Sequence, residues 1–174
     1  KDTVSFCHVL SFDHSRSWPT ICLLDPHPRK PHMLLWVQVD PSDDLHVVAE
    51  LQIDGDPVDV RRECDRIEES MGLNVVRRLG DPNMLRSPAG AKRGVLWLDE
   101  FANAGFPVEE ADDSEVGRSR INEYLKPDER THRPRLTFHS RCAAAIHQMK
   151  RFVWGEHRRR DEKDLKEIPK PKND

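Results

Sequence analysis

The order in which strand-like and helix-like segments follow one another constrains the fold of this chain more than any other feature. Three strand-like segments come first, at about 4–12, 33–39 and 45–53. The link Asp40-Pro41-Ser42-Asp43-Asp44 between the second and third is composed of turn-forming residues, which predicts a hairpin. A helix and a fourth strand follow, and further helical and strand-like segments continue to about residue 155. This order indicates a mixed α/β sheet with flanking helices.

The helix after the hairpin is the most clearly marked element. Asp56 is a good N-cap, Pro57 fits the first helical position, and Gly72 ends the segment. One face of the helix carries an apolar stripe, formed by Val60, Cys64, Ile67 and Met71. The fourth strand, at about 73–80, follows this helix directly.

The remaining segments are less clearly marked. Residues 15–32 contain four prolines around the apolar run Ile21–Leu24, which fits either a short strand or an insert. Ser114 caps a helix that runs to about Lys126, with Ile121 and Leu125 predicted to face inward. The other predicted elements are a helix at 94–104, strands at 106–108 and 135–139, and a helix at 141–155.

Composition favours one domain of a soluble, intracellular protein. The chain has 174 residues, of which 34% are charged, and no apolar run approaches the length of a membrane span. Its four cysteines have no CxxC spacing, which is typical of a reducing compartment. The net charge of −3 argues against a generally basic nucleic-acid-binding surface and leaves room for local basic patches.

Three aspartates stand where a metal site could form. Asp13 closes the first predicted strand, Asp81 closes the fourth, and Asp174 ends the chain. Converging carboxylates suit hard divalent cations such as Mg²⁺ or Mn²⁺, so the pattern indicates phosphodiester hydrolysis. The alternatives are local, because Asp13 could cap a turn and Asp81-Pro82 could form an ordinary Asp-Pro turn.

The predicted order of elements is that of ribonuclease H-like folds. In such a fold the first strand is central, and the strand after the first helix lies beside it in parallel. A right-handed crossover through the helix at 57–71 fits that arrangement. Asp13 and Asp81 are then expected at adjacent carboxyl ends.

The second half of the chain contains a series of short motifs in a characteristic order. They are Gly80-Asp81-Pro82, Phe106-Pro107-Val108, Asp112-Asp113-Ser114, Gly117-Arg118-Ser119-Arg120-Ile121-Asn122, Leu136-Thr137-Phe138-His139, Cys142, Trp154-Gly155 and Lys170-Pro171-Lys172-Asn173-Asp174. In this order they resemble the C-terminal nuclease domain of the large terminase subunit of tailed bacteriophages. The resemblance covers about residues 73–174 well and the segment around Asp13 more loosely. The Walker A loop of that family's ATPase domain is absent from this sequence.

The resemblance implies an endonuclease that uses two divalent cations, Mg²⁺ or Mn²⁺, to cut double-stranded concatemeric DNA during viral genome packaging. Asp13 is expected to bridge both ions, with Asp81 and Asp174 each completing one coordination shell. The candidate DNA contacts are Arg118, Arg120, Lys92 and Arg93. The implied partners are DNA, an ATPase domain on the same chain, the portal and the small terminase subunit, in the cytoplasm of an infected bacterium.

On this interpretation the 174 residues are one nuclease domain of a longer chain, and residues 156–174 form a flexible basic tail. Two alternatives stay open. One is another ribonuclease H-like enzyme, such as a junction resolvase, an integrase or a transposase core. The other is a non-catalytic interaction domain of the same fold.

Overall fold

A computed structural model describes residues 8–89, 94–112, 114–154 and 169–171. Its strands are β1 Val9–Leu10, β2 Pro19–Asp25, β3 His32–Val39, β4 Leu45–Ile53, β5 Asn74–Gly80, β6 Glu109–Glu110, β7 Leu136–His139, β8 Phe152–Trp154 and β9 Pro169–Pro171. Its helices are α1 Pro57–Met71, α2 Pro82–Leu85, α3 Trp97–Asn103, α4 Glu115–Leu125 and α5 Ala143–Arg151. None of the helices described is long and apolar enough to cross a bilayer.

Strands β1 to β7 form one mixed sheet in the order β1-β7-β4-β3-β2-β5-β6. Strand β3 is antiparallel to both of its neighbours, and all the other pairs are parallel. Strands β8 and β9 form a separate antiparallel ribbon. The predicted class, an α/β ribonuclease H-like mixed sheet with flanking helices, is confirmed.

The prediction that the first strand is central is wrong. The segment predicted as the central strand contributes only Val9–Leu10, which pairs with β7 at the edge of the sheet, and residues 1–7 lie outside the described residues. The strand between β3 and β5 is β2, which contains the Ile21–Leu24 run. Thr20, Cys22 and Leu24 are buried there, while Ile21 and Leu23 are half-buried, so both faces of β2 are covered.

Helix α1 forms where the sequence predicts it. The Asp56 carboxylate accepts hydrogen bonds from the backbone N–H groups of Val58 and Asp59, at 2.9 and 3.0 Å. Gly72 ends the helix with a φ of 64°, a left-handed conformation that glycine adopts without strain. The predicted stripe faces the sheet, with Val60 and Cys64 fully buried.

The sheet has a hydrophobic core on each face. On one face α1 and α3 pack against the central strands, and the largest buried side chains are Trp36, Phe101 and Phe106. On the other face α4 and α5 pack against β4 and β7, with Val47, Phe138, Cys142 and Ala145 buried. These two layers fix the strand ends, where the polar side chains lie.

Several predicted boundaries differ from the structure. Strand β6 forms at 109–110 instead of 106–108, because Phe106 and Val108 lie buried against α1 and α3 as an extended segment. Helix α5 ends at Arg151, where the β8–β9 ribbon begins. Ile121, predicted to face inward, is 50% exposed, whereas Leu125 packs against the second core. Of the predicted flexible tail, 169–171 forms β9, and the remainder lies outside the described residues.

Candidate active site

Two aspartates lie side by side at the carboxyl ends of adjacent parallel strands. Strands β2 and β5 pair in register with Leu24 opposite Gly80, so the next residues are Asp25 and Asp81. The backbone N–H of Asp81 donates a hydrogen bond to the carbonyl oxygen of Leu24, at 3.2 Å. The hydrogen bonding between β2 and β5 therefore continues to the residues that carry the two carboxylates. In open α/β sheets, ligands bind at the carboxyl ends of the strands.

The absence of a side chain at Gly80 allows this close approach. A Cβ atom there would lie 3.1 Å from the Leu24 carbonyl oxygen and 3.0 Å from Cδ1 of Leu85. It would also lie 3.1 Å from Cγ1 of Val108. These contacts are tighter than nine in ten that real Cβ atoms make, so glycine fits best between β2, α2 and the segment before β6.

The Asp81 side chain is oriented by the turn that follows it. Asp81 is the N-cap of the one-turn helix α2, with Pro82 at the first helical position. Its Oδ1 atom accepts a hydrogen bond from the backbone N–H of Asn83, at 2.8 Å. The Asp-Pro turn named as the local alternative is therefore present, and it holds an exposed carboxylate at the strand end.

The electrostatics of Asp25 fit a cation site. Desolvation by the protein around its carboxyl group raises the pKa of Asp25, and the nearby charge of Asp81 raises it further. The neighbouring His27 and His32 oppose this rise. Two converging carboxylates supply the oxygen ligands that Mg²⁺ or Mn²⁺ prefers. A bound cation would also remove the repulsion between the two carboxylates.

Among the residues that the structure describes, no group of three or more His, Cys, Asp or Glu side chains could hold a metal ion. The described part of the site thus offers two carboxylates as ligands. Asp174, predicted as the third, lies outside the described residues.

The next carboxylates along the sheet edge are already paired. Glu110 of β6 lies opposite Gly80 and accepts a hydrogen bond from Nε of Arg86, at 2.6 Å. Glu109 pairs with Arg77 at 2.6 Å, on the exposed side. Their charges are neutralised locally, whereas Asp25 and Asp81 form no ion pair within the described residues.

Asp13 lies at the opposite end of the sheet from Asp81. The adjacent His14 donates a hydrogen bond from Nε2 to the carbonyl oxygen of Met71, at 2.7 Å, where α1 ends and the chain turns into β5. The seven residues of β5 then span about 20 Å before Asp81. The predicted juxtaposition of Asp13 with Asp81 is therefore wrong, because the strand before Asp13 is an edge strand from which the chain returns to the start of β2.

The surroundings of Asp13 form a different feature. The aspartate lines a cleft of about 850 Å³, together with Phe12, Trp18, Asp40 and His46. His46 stacks on Trp18 with ring centroids 5.6 Å apart, and its Nδ1 atom lies 2.7 Å from Oγ1 of Thr137, within hydrogen-bonding distance. The Nε2 atom of His46 lies 3.3 Å from the Asp40 carboxylate, so these two polar groups satisfy each other.

The predicted DNA contacts are dispersed. Arg118 and Arg120 belong to α4 and stand two residues apart, a spacing that does not make them neighbours on a helix surface. Arg120 is exposed. Lys92 and Arg93 lie outside the described residues. These four contacts remain predictions.

Asp25 is the candidate site residue that sequence reasoning missed. The signal is present, because an apolar run ends in Asp25-Pro26 just as the fourth strand ends in Asp81-Pro82. A strand followed by Asp-Pro occurs at both positions, and the four prolines around Ile21–Leu24 obscure the first of them.

Comparison with known proteins finds a similarity in fold. No family model and no curated protein sequence matches the chain. Among solved structures, the P22 large terminase nuclease domain is similar with a TM-score of 0.62 and 12% identity, over 84% of this chain and 74% of that one. The large terminase of a thermophilic bacteriophage is similar with a TM-score of 0.61 and 14% identity, over 86% of this chain.

The sheet order and the flanking helices define a ribonuclease H-like fold. More particularly, the chain has the fold of the nuclease domain of phage large terminases. It spans about a third of the length of the thermophilic phage protein, covering 35% of that chain.

Proposed function

We propose that this chain is a divalent-metal-dependent endonuclease that cuts double-stranded DNA. The observation that carries the proposal is the pair of carboxylates, Asp25 and Asp81, at adjacent carboxyl ends of β2 and β5. The likeness in fold to a terminase nuclease domain supports the same reaction class.

Within this proposal, Asp25 and Asp81 would hold the metal ions through carboxylate oxygens. When bound, divalent ions supply an activated water as nucleophile and stabilise the charge on the leaving 3′ oxygen. The backbone N–H of Asn83 occupies one oxygen of Asp81 and so fixes the direction of the other. Pro26 is fully buried directly after Asp25, which limits movement of the backbone that carries this ligand.

The third ligand in this proposal is Asp174. Strand β9 at Pro169–Pro171 pairs with β8, so the chain is tied back to the ribbon three residues before Asp174. The Asp174→Asn variant tests the assignment. Loss of cleavage with an unchanged melting temperature supports a ligand role, and undiminished cleavage contradicts it.

The biological role proposed is release of a unit genome from concatemeric DNA during phage genome packaging. It rests on the likeness to large terminases. In this role the domain works beside an ATPase domain on the same chain, with the portal and the small terminase subunit as partners, in the cytoplasm of the infected bacterium. Sequence preference should be low if phosphate contacts dominate.

The direct test is Mn²⁺-dependent nicking of supercoiled plasmid by three isosteric variants. Asp25→Asn and Asp81→Asn are each expected to lower the rate by more than about 100-fold, beyond the loss typical of outer-shell partners. Asp13→Asn is the matched control and should cut at the wild-type rate. Full activity in Asp25→Asn together with loss of activity in Asp13→Asn would contradict the proposal and assign the metal site to Asp13, at the other end of the sheet.

A wild-type chain that fails to cut any DNA in Mn²⁺ or Mg²⁺ would favour the non-catalytic alternative. Preferential cutting of branched over linear duplex would favour a junction resolvase instead.

A further inference from the structure

At least seven arginines of the described residues are already engaged by carboxylates. The ion pairs of the described residues include Arg61–Asp65, Arg62–Asp59, Arg66–Glu63, Arg77–Glu109, Arg78–Glu68, Arg86–Glu110 and Arg135 with Asp43 and Asp44. An arginine paired in this way is partly neutralised and offers less charge to an approaching phosphate. Unpaired cations close to the candidate active site are therefore informative.

Two such cations lie in the turn between β2 and β3. Arg29 and Lys30 are exposed, and neither forms an ion pair within the described part of the chain. They follow Asp25 by four and five residues, in the segment Pro26-His27-Pro28-Arg29-Lys30-Pro31. The turn that leaves the carboxyl end of β2 thus carries two positive charges four and five residues after Asp25, in a chain whose net charge is −3.

The turn is held in one conformation by two histidines. Nδ1 of His27 accepts hydrogen bonds from the backbone N–H groups of Arg29 and Lys30, both at 3.0 Å. The backbone N–H of His27 donates to Nδ1 of His32 at 3.1 Å. His32 is buried and donates from Nε2 to the carbonyl oxygen of Gly55, at 3.2 Å, just after the end of β4.

This arrangement has two consequences. The backbone N–H groups of Arg29 and Lys30 are occupied, so any anion must be bound by the two side chains. The backbone of the turn is ordered before a ligand arrives, which lowers the entropy lost on binding.

We propose that the turn at 26–31 is a phosphate-binding element that positions duplex DNA over Asp25 and Asp81. This inference rests on the proposed function and adds a specific DNA contact to it. The carboxylate pair repels the DNA backbone, and cations in the turn that follows β2 would offset that repulsion. Because Arg29 and Lys30 bind phosphates, they contribute affinity without sequence preference.

The test measures binding of a labelled DNA duplex by fluorescence anisotropy in EDTA, where cleavage does not occur. The double variant Arg29→Ala/Lys30→Ala is expected to bind on the order of tenfold more weakly in dilute salt. Its slope of log affinity against log salt should fall by about 2, because each side chain that binds a phosphate contributes roughly one to that slope. The same result should appear for duplexes of unrelated sequence.

The matched control is Arg62→Ala/Arg66→Ala on the exposed side of α1. It changes the net charge by the same amount, but both arginines are paired with carboxylates of their own helix. Its affinity and salt slope should stay close to those of the wild type.

The possible results distinguish phosphate binding by the turn from cleavage of DNA. Equal affinity and equal salt slope in the Arg29/Lys30 double variant and the control would overturn the phosphate-binding turn, whether or not the protein cuts DNA. So would the absence of any duplex binding by the wild type in dilute salt. Binding that depends on Arg29 and Lys30, in a protein that fails to cut, would support the turn and contradict the proposed reaction.

Discussion

The hydrogen bond from the backbone N–H of Asp81 to the carbonyl oxygen of Leu24, 3.2 Å long, ties the carboxyl ends of β5 and β2 together. Because of it, Asp25 and Asp81 leave the sheet as neighbours, although they lie far apart in sequence. The surrounding structure offers several ways to disturb this relationship and to measure the effect.

Removing one charge of the pair should stabilise the metal-free protein. The pKa of Asp25 is raised above its ordinary value of 3.8. In the pH window between the ordinary and the raised pKa, the folded state therefore binds more protons than the unfolded state. Asp25 therefore lowers stability as the pH rises through the window and keeps it lower at neutral pH. We expect Asp25→Asn to raise Tm at pH 7 without metal.

Two controls accompany this measurement. Below the ordinary pKa of an aspartate the gain should vanish, because the wild-type carboxyl group is then also neutral. Asp13→Asn should leave Tm almost unchanged at either pH. A lower Tm for Asp25→Asn at neutral pH would show that the carboxylate is stabilised by partners rather than destabilised by its neighbour Asp81.

The volume at Gly80 should be critical for both stability and activity. In Gly80→Ala the added methyl group meets the Leu24 carbonyl oxygen at 3.1 Å, so its neighbours must move by a few tenths of an ångström. We expect a loss of about 1–3 kcal/mol in the free energy of unfolding, typical of overpacking, and slower Mn²⁺-dependent cleavage. Denaturant unfolding and the plasmid assay measure the two effects, and an unchanged variant in both would contradict the close approach.

His32 should make the domain sensitive to mild acid. Burial is the largest cause of its lowered pKa, and its Nδ1 must stay unprotonated to accept the His27 N–H. The folded state thus binds fewer protons than the unfolded state just below pH 6.5, so stability is lost as the pH falls from there towards the lowered pKa.

The test compares thermal unfolding of the wild type and His32→Phe between about pH 7.5 and 5.5. The variant should be less stable at the upper pH, by about 1–2 kcal/mol for the two hydrogen bonds that it cannot form. Its stability should then fall less steeply with acid than that of the wild type. Parallel curves would mean that His32 does not titrate in this range.

A partly buried ion pair beneath β5 should matter more than exposed pairs on α1. Glu68 accepts from Nη2 of Arg78 at 2.6 Å and from Nε1 of Trp36 at 3.0 Å. Glu68→Ala leaves a guanidinium over the Phe106 ring without its counter-charge, which should cost about 3 kcal/mol. Glu63→Ala breaks only the exposed pair with Arg66, so urea denaturation should show a much smaller loss.

The sequence predicts the parts of the fold that local chemistry determines. Helix α1 is an example, because the Asp56 cap, Pro57 and the Gly72 terminator each act within a few residues. The hairpin of β3 and β4 is another, since Asp40 accepts from backbone N–H groups within the turn itself. The position of Asp81 at its strand end is predictable for the same reason.

Strand order cannot be predicted in the same way. The segments before Asp13 and before Asp25 are both apolar, and only long-range pairing decides which of them lies beside β5. That choice depends on packing against α1 and α3, which no local pattern encodes. Sequence reasoning consequently expects Asp13, rather than Asp25, beside Asp81.

Mn²⁺ soaked into crystals of the protein, located by its anomalous scattering, tests the central claim most directly. A peak is expected between the carboxylates of Asp25 and Asp81, lost in Asp25→Asn crystals and retained in Asp13→Asn crystals. A peak at Asp13 in the cleft beside Trp18 and His46, with none at the ends of β2 and β5, would contradict the central claim.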